Sequence, residues 1–175
     1  MSKLMWSRSS KTETNSVTRS NTISNVEINH SWRLSILMEK MHKNNLGELV
    51  KGALLFSGCE PGLIKDMDNH STVQIQLENM PSMYVGLIDD KTVIWSDLCE
   101  FHESIITYHS DNLLREIMIG FVYSESGQLC IRESNGQLQL CVYLSDVYLE
   151  SAESMAEAIN AFFESQSRVT EIVRQ

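Results

Sequence analysis

A chain of 175 residues with 42% hydrophobic content, 21% charged residues, two prolines and eight glycines can fill one core of ordinary domain size and lies outside the compositional range of disordered proteins. Its formal net charge of −9, from 23 acidic and 14 basic residues, repels phosphate backbones and anionic headgroups, which argues against nucleic acid or a membrane surface as partner. Cys59, Cys99, Cys130 and Cys141 contain no Cys-x-x-Cys pair and no secretory signal accompanies them, so they read as reduced, mostly buried thiols, and with no apolar run near the roughly 20 residues that span a bilayer the expected location is cytoplasmic.

Residues 1–31 include sixteen Ser, Thr or Asn and almost no large aliphatic side chains, a composition that cannot offset the entropy of ordering and predicts a disordered extension over 1–40. Within it, Trp32 to Met41 carries enough apolar residues for a short amphipathic helix. The extension holds six of the basic residues and three of the acidic ones, leaving eight Lys/Arg against twenty Asp/Glu in 41–175. The domain proper is therefore strongly acidic.

From Leu46 the pattern turns regular. Leu46, Leu49, Val50, Ala53 and Leu54 fall at helical spacing, with Gly58 and Pro61 as stop signals. Val73 to Leu77 alternates apolar and polar residues, predicting a half-buried strand; Met83, Val85 and Leu87 make a second, and Asp89-Asp90-Lys91 turns the chain into a third over Thr92–Trp95. A second helix is expected over Glu103 to Met118, with Ile106, Leu113, Leu114, Ile117 and Met118 as its apolar positions. Gln128–Glu133 and Gln137–Leu144 flank Asn135-Gly136, a strong hairpin signal, with Leu138, Leu140, Val142 and Leu144 facing the core. Ser154-Met-Ala-Glu157 reads as a capping box opening a last helix through Met155, Ile159, Phe162 and Val169. The order is helix, three strands, helix, two or three strands, helix: an α+β fold with an antiparallel sheet flanked by three helices.

Chemistry-bearing motifs are scarce. Asp66-Met-Asp68-Asn-His70 begins like a calcium loop, but Ser71 and Leu77 stand where that loop needs glycine and glutamate. His102 and His109 match no ligand spacing, no nucleophile elbow is present, and Gly58-Cys-Glu-Pro-Gly62 lacks the lysine and the strand-to-helix setting of a phosphate loop. No metal, no cofactor and no enzymatic activity are expected.

The run Leu46-Gly-Glu-Leu-Val-Lys-Gly-Ala-Leu-Leu, then Ser57-Gly-Cys-Glu-Pro-Gly-Leu-Ile64 and Asp68-Asn-His-Ser-Thr72, resembles the class IB type III secretion chaperones, in their invasion protein B and surface-presentation-of-antigens branch. The likeness continues through Met80-Pro81-Ser82, Ile94-Trp95, Gly127-Gln128-Leu129, Asn135-Gly136-Gln137-Leu138 and Asn160-Ala-Phe-Phe163, covering about residues 41–175. It implies a homodimer that binds the N-terminal chaperone-binding regions of several effectors, keeps them secretion-competent and delivers them to the export apparatus, with the secretion ATPase or sorting platform as a further partner. The alternative is a non-chaperone adaptor or regulatory subunit of the same apparatus. Residues 1–40 depart from the family's pattern and read as an over-long start assignment, a genuine extension or an autoinhibitory segment.

The resemblance also implies an effector groove on the first helix and the neighbouring sheet, and dimer contacts from the second helix and later strands. Carried over by element, the effector-binding candidates are Leu49, Leu54, Phe56, Val73, Ile75, Met83, Val85 and Trp95, and the dimer candidates are Ile117 and Met118. Taken singly, the helix residues read first as core positions, and for the strand residues periodicity does not say which face of the sheet packs inward.

Overall fold

Helix α1, Leu46–Phe56, is set by Leu46, Val50 and Ala53, which repeat at helical spacing and are buried. It stops in a Schellman arrangement: Gly58 sits at φ +86°, Cys59 N–H donates to the Leu54 carbonyl and Gly58 N–H to that of Leu55. Only glycine takes that left-handed φ without strain. In the computed structural model residues 45–64 and 72–175 are described, all within one compact unit, Leu37–Gln175. The extension 1–40, the segment Trp32–Met41 and the Asp66–His70 cluster lie outside the described residues.

A 3₁₀ turn, Pro61–Leu63, leads on to the sheet. Strand β1, Val73–Ile75, is shorter than the alternation to Leu77 suggests. Its last register pair is Ile75 with Met83; continuing would set Leu77 opposite Pro81, which has no N–H to give to a ladder. Strands β2, Met83–Ile88, and β3, Lys91–Glu100, are joined by Asp89 and Asp90 at φ 50° and 62°, the two-residue turn whose twist suits a hairpin. β3 runs five residues beyond the expected Trp95, with a bulge between Asp97 and Cys99. Polar Ser96 and Asp97 hide that continuation in the sequence. Ser96 is fully buried because its hydroxyl accepts from Gln166 Nε2 at 3.0 Å, and the same amide donates to the Pro81 carbonyl at 2.6 Å.

Helix α2, Glu103–Met118, keeps its expected bounds. β4, Cys130–Ser134, and β5, Gln137–Tyr143, meet at Asn135-Gly136, both residues at positive φ. Leu138, Leu140, Val142 and Leu144 are all buried, as the alternation requires. After a 3₁₀ turn, Asp146–Leu149, comes the 23-residue helix α3, Ala152–Arg174. It starts earlier than the Ser154 capping box: Ser151 is the cap, its hydroxyl accepting the Ser154 N–H at 3.1 Å. Glu157 instead stands near the Tyr123 phenol.

The five strands are antiparallel in the order β1-β2-β3-β5-β4. Val73, Val85, Ile94 and Val142 form one register row across four of them. They share a core with Val50 and Ala53 of α1 and Met155, Ile159 and Phe162 of α3. The architecture is thus the α+β arrangement of three helices on an antiparallel sheet, with α1 and α3 covering one sheet face. α2 reaches that core through Leu113 and Ile105 and leaves most of its surface uncovered.

Candidate partner-binding surfaces

A helix that serves only its own domain buries a stripe about a third of its circumference wide. Of the sixteen residues of α2, only Leu113 and Glu116 are buried. Leu113 is buried in the shared core, whereas Leu114 and Met118, one turn apart, are 58% and 71% exposed. With Asp111, Arg115 and Ile119 they line a shallow depression of about 490 Å³. Ile106, Tyr108 and Val122 are exposed as well. Single exposed apolar residues are ordinary, but several along one helix mark a contact surface.

The tie between α2 and α3 is polar. Arg168 Nε donates to Glu116 Oε1 at 2.6 Å, and Arg168 Nη2 reaches the Ser165 hydroxyl at 3.1 Å. The Glu116 side chain is only 8% exposed and that of Arg168 45%. Arg168→Ala leaves a buried carboxylate without its donor, so a loss of roughly 1–3 kcal/mol is expected. Hydrogen exchange should show that loss concentrated in α2; uniform loss of protection would mean that the pair does not anchor that helix.

A second apolar surface lies where α1 ends. Phe56 is 61% exposed, Leu63 on the following 3₁₀ turn is 73% exposed, and Leu55 is open beside them in sequence. A third surface is the sheet face turned away from the Val85–Ile94 row. There Tyr84 and Trp95 stack with centroids 5.5 Å apart, and the indole lies so close over Gly86 that an added Cβ would come within 3.2 Å of it. Gln74 Nε2 donates to the Ser82 hydroxyl at 3.2 Å beside that stack. Farther along, Arg132 Nε donates to Gln139 Oε1 and Gln139 Nε2 to Asp97 Oδ1, both at 2.8 Å.

The sequence-derived candidates separate accordingly. Phe56 and Met118 are exposed; Leu49, Leu54, Ile75, Trp95 and Ile117 are half-buried; Val73, Met83 and Val85 are closed off in the protomer's core. Leu55, Leu63, Tyr108, Leu114 and Ile119 add exposed apolar area that was not singled out for binding. A signal for some of them was present. Leu54-Leu55-Phe56 and Ile117-Met118-Ile119 are runs of three apolar residues, and consecutive helical positions 100° apart cannot all face one core.

Among the described residues no group of three or more His, Cys, Asp or Glu side chains is placed to hold a metal. His102 precedes α2 with Glu100 at 4.0 Å. The cavity between the β2–β3 turn and the end of β5, about 490 Å³, is lined by Asp89, Asp90, Glu125 and Asp146, and its one cation, Lys91, is paired with Glu125. Burial pushes the Cys99 thiol up; burial first, and then the Glu157 carboxylate, do the same to the Tyr123 phenol. Eighteen Asp/Glu against six Lys/Arg in the described residues leave a strongly negative surface, and Lys91, Arg115 and Arg168 are already engaged by carboxylates.

Residues 58–135, from the end of α1 through the β4–β5 turn, match the profile of the invasion protein B family. The surface presentation of antigens proteins SpaK of Salmonella typhimurium and Salmonella typhi are each 33% identical over 123 residues, which is 70% of this chain and 91% of theirs. The chain belongs to the invasion protein B family. That is the family resembled in the sequence, one of type III secretion chaperones and not of enzymes. Two solved structures are also similar. A chain of the heterodimeric ExoU–SpcU complex of Pseudomonas aeruginosa aligns at TM-score 0.47 and 13% identity, over 70% of this chain and 95% of that one. The Yersinia pestis type III secretion chaperone SycH, solved with a fragment of YscM2, aligns at 0.46 and 13%, over 71% and 97%. Among the described residues no helix is long and apolar enough to cross a membrane.

Proposed function

We propose that this member of the invasion protein B family is a cytoplasmic homodimer whose domain, residues 41–175, holds the N-terminal segments of secreted effectors and passes them to the secretion ATPase or sorting platform. The observation that carries the reading is the pair of uncovered apolar surfaces on an otherwise acidic domain: the α1 end with Leu55, Phe56 and Leu63, and the outer face of α2 with Leu114 and Met118. An extended effector segment buries apolar anchors at the first surface and adds main-chain hydrogen bonds at a sheet edge, β1 being one such edge. The second surface faces a copy of itself across a two-fold axis. Negative charge keeps the free dimer soluble and speeds encounter with basic segments. No step requires bond chemistry; the large contact area compensates for ordering the bound segment.

Co-expression with N-terminal effector fragments, followed by size-exclusion chromatography with light scattering, tests this reading. Two chains eluting with one fragment is the expected mass. Phe56→Asp together with Leu63→Asp should weaken capture at least about tenfold, since each apolar anchor contributes roughly 1.5–3 kcal/mol and about 1.4 kcal/mol is tenfold. The free dimer should be unaffected. A dimer that captures no fragment favours an adaptor or regulatory subunit, and capture indifferent to the double substitution places the groove elsewhere.

A further inference from the structure

Across the sheet face that carries the Tyr84–Trp95 stack, one register row runs through all five strands: Gln74, Tyr84, Trp95, Cys141 and Cys130. Its last two members are cysteines directly opposite one another on β5 and β4. Opposed residues of antiparallel strands project from the same face with Cα atoms about 4.5–5.5 Å apart. That separation lies inside the roughly 4.4–6.8 Å that a disulfide spans. Both thiols are free. Neither of the other cysteines is placed this way: Cys99 faces Leu138 across its ladder, and Cys59 follows α1.

The two thiols differ in access. Cys130, on the edge strand, is exposed, whereas Cys141 is fully buried between β3 and β4. An oxidant therefore reaches Cys130 and not its partner. Arg132, two positions along β4 and so on the same face, brings a positive charge toward Cys141. Burial outweighs that charge, and with a smaller contribution from Cys130 it pushes the Cys141 thiol up to about 11.

We propose that Cys130 and Cys141 are an oxidation site that closes a reversible disulfide across β4 and β5 when the protein meets a peroxide. The Cys130 thiolate attacks the peroxide oxygen, the O–O bond breaks, and Cys130 becomes a sulfenic acid while the departing hydroxide takes up the proton that the thiol had given to solvent, leaving one water. The Cys141 sulfur then attacks the Cys130 sulfur; the S–S bond forms as the S–O bond breaks, and the departing hydroxide takes the Cys141 proton to leave a second water. The two thiols lose two electrons and the peroxide gains them. A small thiol reverses the reaction by two exchange steps. Because Cys141 gives up its proton reluctantly, closure is slower than in dedicated redox pairs, so the site answers sustained exposure. Closure staples the sheet's exposed edge strand to its neighbour.

The test is hydrogen peroxide treatment of the full-length protein, alkylation and tryptic mapping. Cleavage at Arg115, Arg132 and Arg168 separates the two cysteines onto adjacent peptides, so the disulfide appears as a linked pair lighter by two hydrogens than its separate halves. It should vanish on reduction and be missing from Cys130→Ser, a substitution at an exposed position that leaves folding intact. The oxidised protein should melt higher than the reduced one, and that rise should also be missing from Cys130→Ser. Cys130 recovered as sulfinic or sulfonic acid, or bridged to a second chain while Cys141 is alkylated on unfolding, would overturn the proposal.

Discussion

Glutamate at both Leu114 and Met118 is expected to leave the chain monomeric in solution. Each side chain is more than half exposed in the protomer, so its replacement costs the fold no more than about 0.5 kcal/mol, the usual range for surface positions. In a two-fold interface every residue occurs twice. The double substitution therefore withdraws four apolar side chains, each contributing roughly 1.5–3 kcal/mol when buried, or about 6–12 kcal/mol of association free energy. At about 1.4 kcal/mol per factor of ten, the dissociation constant rises by at least roughly four orders of magnitude. Like charges brought together add to the loss on a surface that is already acidic. Light scattering should report one chain per particle, with a circular dichroism spectrum matching the parent. A variant that stays dimeric would remove the outer face of α2 from the interface, and one that unfolds would show that the two side chains serve the protomer core.

This helix also shows how far the sequence can be read. The bounds of α2 are legible because Glu103 to Met118 keeps one helical period and Gly120 follows it at positive φ. Which apolar residues serve the protomer is not legible, because α2 carries exposed apolar residues beside those that pack inward, and the two stripes merge into one broad one. The same ambiguity governs the sheet. Val73, Met83, Val85 and Trp95 alternate cleanly, yet Val85 lies in the core while Trp95, next to Ile94 in sequence, lies on the opposite face. Alternation fixes the relation between neighbours and leaves the inward direction to tertiary packing. Boundaries slipped where a long-range partner overrides a local signal. Ser96 continues β3 because Gln166, seventy residues later, satisfies it. Ser151 outcompetes Ser154 as the α3 cap because the chain arrives there from the Asp146–Leu149 turn.

Phe162→Ala is expected to be the most damaging single substitution to the fold itself. Phe162 heads the fully buried side chains by volume and belongs to the core shared by α1, α3 and the sheet. Truncating a buried phenylalanine removes its transfer free energy and leaves a cavity that rigid neighbours fill only in part, at about 3–5 kcal/mol. Against a typical total of about 5–15 kcal/mol, that is a large fraction of the stability. Phe163, the next residue, supplies the control: it is 38% exposed on the other side of the same turn, so its truncation should cost about 1 kcal/mol or less. The same atoms are deleted from the same helix, and only the direction in which the ring points differs. Urea unfolding at one fixed protein concentration separates the two, since any self-association would make stability concentration-dependent. Phe162→Ala should lower the midpoint several times further than Phe163→Ala at an unchanged slope. Equal shifts would mean that α3 is rotated about its axis relative to the packing described, and with it the register that sets Gln166 beneath Ser96 and Arg168 against Glu116.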